Sequence, residues 1–143
     1  MSHCPISDVR SDLYLDRIEA FIAAGGIAFF AMTCTLVAPL LLMLDYLLKI
    51  ATKNRAGLLR PISLYCKRVL GLEDKWVDDA PKRFARVLGA VMMANLTIFY
   101  FLGLHSAAVI LSAVFISFAL LEAFFCFCIG CRLYTWIQRA RSR

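Results

Sequence analysis

The stretch VLGAVMMANLTIFYFLGLHSAAVILSAVFISFALL, residues 87–121, runs for 35 positions without an Asp, Glu, Lys or Arg. A helix rises about 1.5 Å per residue, so one helix over this run would be roughly 52 Å long. The hydrocarbon core of a bilayer is only about 30 Å thick. One crossing would overshoot, so the run must turn back on itself. Gly103-Leu104-His105-Ser106 combines a helix terminator with polar neighbours and is the expected turn. Two helices follow, over residues 84–102 and 107–131.

A second uncharged run covers residues 20–44, 25 positions. Apolar character resumes after Asp45, so the segment extends over 18–50. Pro39 interrupts it, just after Thr33-Cys34-Thr35. Proline removes an intrahelical hydrogen bond and disfavours helix in the residue before it. The expectation is two short helices, 18–34 and 39–51, with a tight turn between them; a single Pro-kinked span is the alternative. The chain therefore reads as an all-α polytopic membrane protein. It forms one domain over 1–143, with four transmembrane helices arranged as two hairpins.

Composition and charge agree. Hydrophobic residues make up 62% and charged residues 18%, and mean hydropathy is +0.74. A soluble domain is roughly 45–50% apolar and about 25% charged. These values argue against a disordered chain, a soluble enzyme and a disulfide-stapled secreted domain. The first 17 residues carry both signs of charge and lack the apolar core of a secretory signal peptide, so the first apolar segment is expected to stay in the membrane. The net charge of +6 does not call for nucleic acid. Arg10 and Arg17 precede the first apolar run, ten basic residues lie over 49–86, and Arg132, Arg139, Arg141 and Arg143 follow the last. With four crossings all sixteen fall on one side, which the positive-inside rule makes the cytoplasm. That places both termini there, in a bacterial-type inner membrane. Three crossings would strand Arg10 and Arg17 outside.

Residues 52–83 are too polar to span. Leu59, Ile62, Cys66, Val69 and Leu70 recur at helical spacing, with Lys67 and Arg68 on other faces. Pro61 suits a first turn and Gly71 a C-terminal cap. This is a short amphipathic helix, lying on the cytoplasmic surface or packed beneath the bundle. Asp78 and Asp79 read as caps and solvated charges ahead of Pro81. Three acids, Glu19, Asp45 and Glu122, fall inside apolar segments, where an ionised carboxylate costs at least about 2.5–3.5 kcal/mol at the bilayer centre. All three lie near the cytoplasmic ends, so pairing with Arg17, Lys49, Arg86 or Arg132, or contact with interfacial water, competes with a proton-linked or thiol-linked role.

Six cysteines are present: Cys4, Cys34, Cys66, Cys126, Cys128 and Cys131. The informative pair is in Phe127-Cys128-Ile129-Gly130-Cys131-Arg132, a C-x-x-C near the cytoplasmic interface that Tyr134 and Trp136 mark. Positions three apart share a helical face, and C-x-x-C pairs support dithiol–disulfide cycling. Arg132 would favour a thiolate. The end of a long helix would oppose one through its negative dipole potential. Gly130 would loosen the terminal turn and let the sulfurs approach. Glu122 falls on a different face, so it serves as a base for these thiols only if the helix unwinds. Redox or sulfur chemistry, metal binding and a structural role all remain open for Cys128 and Cys131. A conventional four-cysteine zinc site lacks its second C-x-x-C; His3 and Cys4 could complete a metal site only by folding back. No nucleotide loop, serine triad, haem-attachment motif or cofactor signature is evident.

The chain resembles a family of small bacterial integral-membrane proteins of unknown function. The resemblance rests on Cys4-Pro5, Leu44-Asp45-Tyr46-Leu47-Leu48, Ala80-Pro81-Lys82-Arg83-Phe84-Ala85, Leu121-Glu122-Ala123 and Phe127-Cys128-Ile129-Gly130-Cys131-Arg132-Leu133-Tyr134. It covers nearly the whole chain. It implies a four-helix membrane domain, sometimes fused to or encoded near thioredoxin-like or other sulfur-handling proteins. Two functions follow as expectations. The first is a membrane-embedded thiol-redox or sulfur-handling protein using Cys128 and Cys131, with Cys4 and Glu122 as secondary candidates. Its partner would be a soluble thioredoxin-like or sulfur-carrier protein. The second is an accessory subunit of a larger membrane complex or oligomer, with Gly89, Ala90, Met93 and Ala94 as a close-packing stripe.

Overall fold

A computed structural model describes residues 10–125 and 127–143. His3, Cys4 and Cys126 lie outside the described residues. The chain runs β1 (Arg10–Asp12), α1 (Leu13–Thr33), α2 (Val37–Ala51), α3 (Arg60–Leu70), β2 (Trp76–Asp78), α4 (Ala80–Phe101), α5 (His105–Phe125) and α6 (Ile129–Arg141). It is predominantly helical. Helices α4 and α5 are long and apolar enough to cross a membrane.

The expected turns are present for the expected reasons. Between α4 and α5, Gly103 takes φ 74°, which costs a residue without Cβ nothing. Its N–H donates to Tyr100 O at 3.1 Å and the Leu104 N–H to Phe99 O at 2.9 Å. Helix α1 closes on Cys34 at φ 54°, whose N–H donates to Phe30 O at 2.7 Å. Helix α2 then begins at Val37 and carries Pro39 in its first turn, where a missing N–H has no helical partner to lose. The segment is therefore two helices, not one kinked span. Gly71 caps α3 at φ 63°.

Three features depart from expectation. Helix α1 begins five residues early, because Asp12 caps it by accepting the Tyr14 N–H at 3.1 Å. Just before it, β1 pairs antiparallel with β2, with Ser11 opposite Val77 and Asp12 opposite Trp76. Three-residue strands are too short to show a period-two pattern. Helix α3 is turned opposite to its apolar stripe. Ser63 and Lys67 are buried, while Ile62, Tyr65, Val69 and Leu70 are exposed. Lys67 is held inward by ion pairs with Asp12 and Asp74. The third and largest departure is that α5 stops at Phe125 and a separate helix, α6, follows.

In the bundle α1 packs on α5 and α2 on α4, with α4 also against α5 and α6. Ala23, Ala24, Ile27, Phe30, Leu42, Met93, Leu96, Phe115 and Ala119 form the apolar core. Small residues bring helices close: a Cβ on Gly89 would sit 3.1 Å from the Tyr46 ring. That part of the Gly89 stripe is thus spent inside the chain. Charge is distributed inside out. Asp16, Glu19, Asp45, Lys49, Lys82 and Arg86 are buried, while Phe21, Phe29, Leu41, Ile98, Ile110 and Phe125 are among the exposed large apolar side chains.

Candidate functional site

The cysteine pair lies where the last expected helix breaks. Arg17, from α1, occupies the end of α5: its Nε donates to Ala123 O at 2.7 Å and its Nη2 to Phe124 O at 3.3 Å. A helix leaves its last carbonyls without partners, and these two bonds supply partners. The chain is then free to restart. Cys128 is the extended N-cap of α6, and its Sγ accepts the Cys131 N–H at 3.4 Å. A bond from the N3 amide to the N-cap side chain is the geometry that caps helices, with sulfur in place of oxygen.

The expected dipole effect is thereby reversed. The pair sits at the positive N-terminus of α6 rather than at the end of a long helix, and that position favours a thiolate. The Cys131 thiol, donating to Cys128, holds the Cys128 thiol below its ordinary range, with help from the Cys131 backbone N–H and Lys82. Burial and the Glu122 carboxylate oppose this without cancelling it. The Cys131 thiol is pushed up, because its proton is shared with the Cys128 sulfur and the site is partly buried. Of the two, Cys128 is the thiol whose thiolate the local geometry favours, because its sulfur accepts the Cys131 N–H at the start of α6. Cys34 and Cys66 are also free thiols, Cys34 exposed at the α1–α2 turn and Cys66 partly buried on α3.

Gly130 has a different task from the one its sequence context suggests. A Cβ there would lie 2.7 Å from Ala85 Cβ and 2.8 Å from Ala85 Cα. Gly130 lets the first turn of α6 rest on the backbone of α4. It fixes the site rather than loosening it.

The break also brings Glu122 to the cysteines. Glu122 lines a cleft of about 400 Å³ together with Arg17, Lys82, Cys128, Cys131 and Arg132. It also lines a second, smaller cleft with Asp16, Glu19, Tyr46, Lys49 and Arg86. Among the described residues it makes no ion pair. The other two acids of the apolar segments do: Lys49 Nζ lies 2.7 Å from Glu19 Oε2 and 2.5 Å from Asp45 Oδ2. Asp45 Oδ1 also accepts the Leu59 N–H at 3.0 Å. Lys82 pairs with Asp16, and Arg86 Nη1 lies 2.9 Å from Asp79 Oδ1. Asp79 is therefore an ion-pair member, while Asp78 Oδ1 accepts the Ala80 N–H at 3.2 Å. Asp16 and Lys82 were not singled out in the sequence. The signal was there, in pairs one helical turn apart: Asp16/Glu19, Asp45/Lys49 and Lys82/Arg86.

Among the described residues no three His, Cys, Asp or Glu side chains converge as a metal ion would require. No curated protein and no solved structure matches the chain. One family model does, spanning residues 12–139 and so covering α1 to α5, most of α6 and the cysteine pair. By that match the chain belongs to the family described as Domain of unknown function (DUF4395).

Proposed function

We propose that this protein is a membrane-embedded thiol–disulfide exchange protein whose Cys128–Cys131 pair trades electrons with a soluble thioredoxin-like or sulfur-carrier partner at the cytoplasmic face of a bacterial-type inner membrane. The observation that carries the reading is Cys128 as the N-cap of α6, its sulfur accepting the Cys131 N–H at 3.4 Å. Cys128, as thiolate, attacks a partner disulfide; the partner's S–S bond breaks, and the leaving sulfur takes the electron pair. Cys131 then loses its proton to water in the cleft and attacks the Cys128 sulfur. The second partner thiolate leaves and a Cys128–Cys131 disulfide closes. Two electrons pass to the partner, and the cycle runs equally in reverse. Residues three apart at a helix start have Cα atoms about 5–6 Å apart, within disulfide reach.

The membrane placement draws on the same physics. Large apolar side chains face outward on α1, α2, α4 and α5 while the charges lie inside, the arrangement lipid favours and water does not. Four crossings put every Lys and Arg on one side, with α3 and α6 along that surface. The exposed Ile62, Tyr65, Val69 and Leu70 of α3 suit a helix lying in the interface.

A Cys131→Ser variant should accumulate a mixed disulfide through Cys128, and mass spectrometry of the adduct should show a thioredoxin-like or sulfur-carrier protein. Capture that persists in a Cys128→Ser variant, with stable cysteine-independent copurification, would replace this reading with that of an accessory subunit. In intact cells, a cysteine placed at His105 should react with a membrane-impermeant label and the 49–83 segment should not.

A further inference from the structure

The cleft at the cysteine pair is cationic to a degree that thiolate poise alone does not require. Arg17, Lys82, Arg132 and Arg139 line it, against the single carboxylate of Glu122. Among the described residues every ion pair uses Lys49, Lys67, Lys82 or Arg86 as its cation. Among the described residues Arg17, Arg132 and Arg139 are in no ion pair, so they bring three guanidinium charges to the cleft against the one carboxylate of Glu122. Arg17 is held rigidly by the carbonyls of Ala123 and Phe124. Arg132 lies over the Phe127 ring, 5.2 Å from its centroid, with its N–H groups free to bind. The space is about 400 Å³, within the range of sites for small molecules.

A thiolate repels anions, so surplus positive charge beside one is useful when the electrophile is itself an anion. We infer that this cleft binds a small polyanion carrying a sulfur–sulfur bond, and presents that bond to Cys128. The inference rests on the thiol-exchange reading and supplies its substrate class. Two sources share this chemistry. With glutathione disulfide, Cys128 attacks one sulfur, the S–S bond breaks, and a glutathione thiolate leaves with the electron pair. With thiosulfate, Cys128 attacks the outer sulfur, sulfite leaves with the electron pair, and a persulfide remains on Cys128. In either case Cys131, deprotonated, can attack the Cys128 sulfur and expel the second glutathione thiolate or hydrosulfide, closing the disulfide.

The test compares two disulfide reagents on the full chain in neutral phosphatidylcholine vesicles, in a Cys4→Ser, Cys34→Ser, Cys66→Ser, Cys126→Ser background. Dithiobis(nitrobenzoate) is a dianion and dithiodipyridine is neutral. Each rate is normalised to that of free glutathione thiol. Focusing of charge in a cleft raises counter-ion on-rates by tenfold or more, so the dianion should be favoured by about tenfold, and less so as salt rises. Arg132→Gln with Arg139→Gln should bring the ratio near one; any loss of thiolate slows both reagents alike and cancels in the ratio. A ratio near one in the parent protein, or one that survives both substitutions, overturns the inference while leaving thiol exchange standing. Slow reaction with the neutral reagent as well, no faster than free thiol, removes both readings. With Cys131→Ser added to that background, so that the adduct cannot be resolved, incubation with thiosulfate or glutathione disulfide should add one sulfur atom or one glutathionyl group to Cys128 by mass spectrometry, identifying the source; no adduct from either overturns the inference.

Discussion

Gly130→Ala should disable the cysteine site without touching a cysteine. The new methyl carbon would lie 2.7 Å from Ala85 Cβ and 2.8 Å from Ala85 Cα, whereas carbon atoms in good contact sit roughly 3.5–4.0 Å apart. The first turn of α6 must therefore move off α4 by about 1 Å. Overpacking of this kind costs about 1–3 kcal/mol. Because Cys128 is the N-cap of the same turn, the shift also spoils the amide-to-sulfur bond. Two assays read the effect: thermal denaturation in detergent, and the rate of Cys128 alkylation at neutral pH, which should fall towards that of an ordinary thiol. Ala85→Gly in the same chain removes one of the two clashing atoms and costs about 0.5–1 kcal/mol as a mid-helix glycine. It should restore part of the alkylation rate, with a favourable coupling of about 1 kcal/mol between the two sites. Full stability and full reactivity in Gly130→Ala alone would refute the close approach of α6 to α4, and with it the positioning of the site.

Lys49→Met leaves Glu19 and Asp45 buried without their cation and should destabilise the protein by about 3–5 kcal/mol. Adding Glu19→Gln and Asp45→Asn should recover most of that, and a loss below about 1 kcal/mol for Lys49→Met in denaturation would contradict the buried triad. Alkylation of Cys128 should persist at pH values below the ordinary thiol range, since the Cys131 thiol and amide favour its thiolate; Cys131→Ala should move the profile upward but not all the way, because the amide remains. Asp12 is held below the usual carboxylate range because bonds from Lys67 and Tyr14 outweigh its burial. Its stabilisation is therefore present above the unfolded value of about 3.9 and lost as pH falls through the lower folded one. Asp12→Asn keeps the helix cap and should flatten stability against pH in that acid window, as read by denaturation midpoints across pH.

Hydrophobic run lengths and the positions of Gly103, Pro39, Pro61 and Gly71 are local properties. The helix–turn pattern of both hairpins and the extent of α3 followed from them, because backbone sterics and the apolar length of a segment act within a few residues. The candidate cysteines were equally visible, since C-x-x-C is itself a local spacing. What the chain's local pattern could not express was where α5 would stop. Residues 107–131 are apolar enough to continue as one helix, and the break falls where Arg17, more than a hundred positions away, bonds the carbonyls of Ala123 and Phe124. That contact puts Cys128 at a helix start instead of an end and reverses the sign of the dipole acting on its sulfur. The inward turn of α3 is likewise non-local, because Lys67 is drawn in by ion pairs with Asp12 and Asp74. In both, a cationic side chain finds a partner far away in sequence, Arg17 the carbonyls of α5 and Lys67 the carboxylate of Asp12, where hydrophobic periodicity is silent.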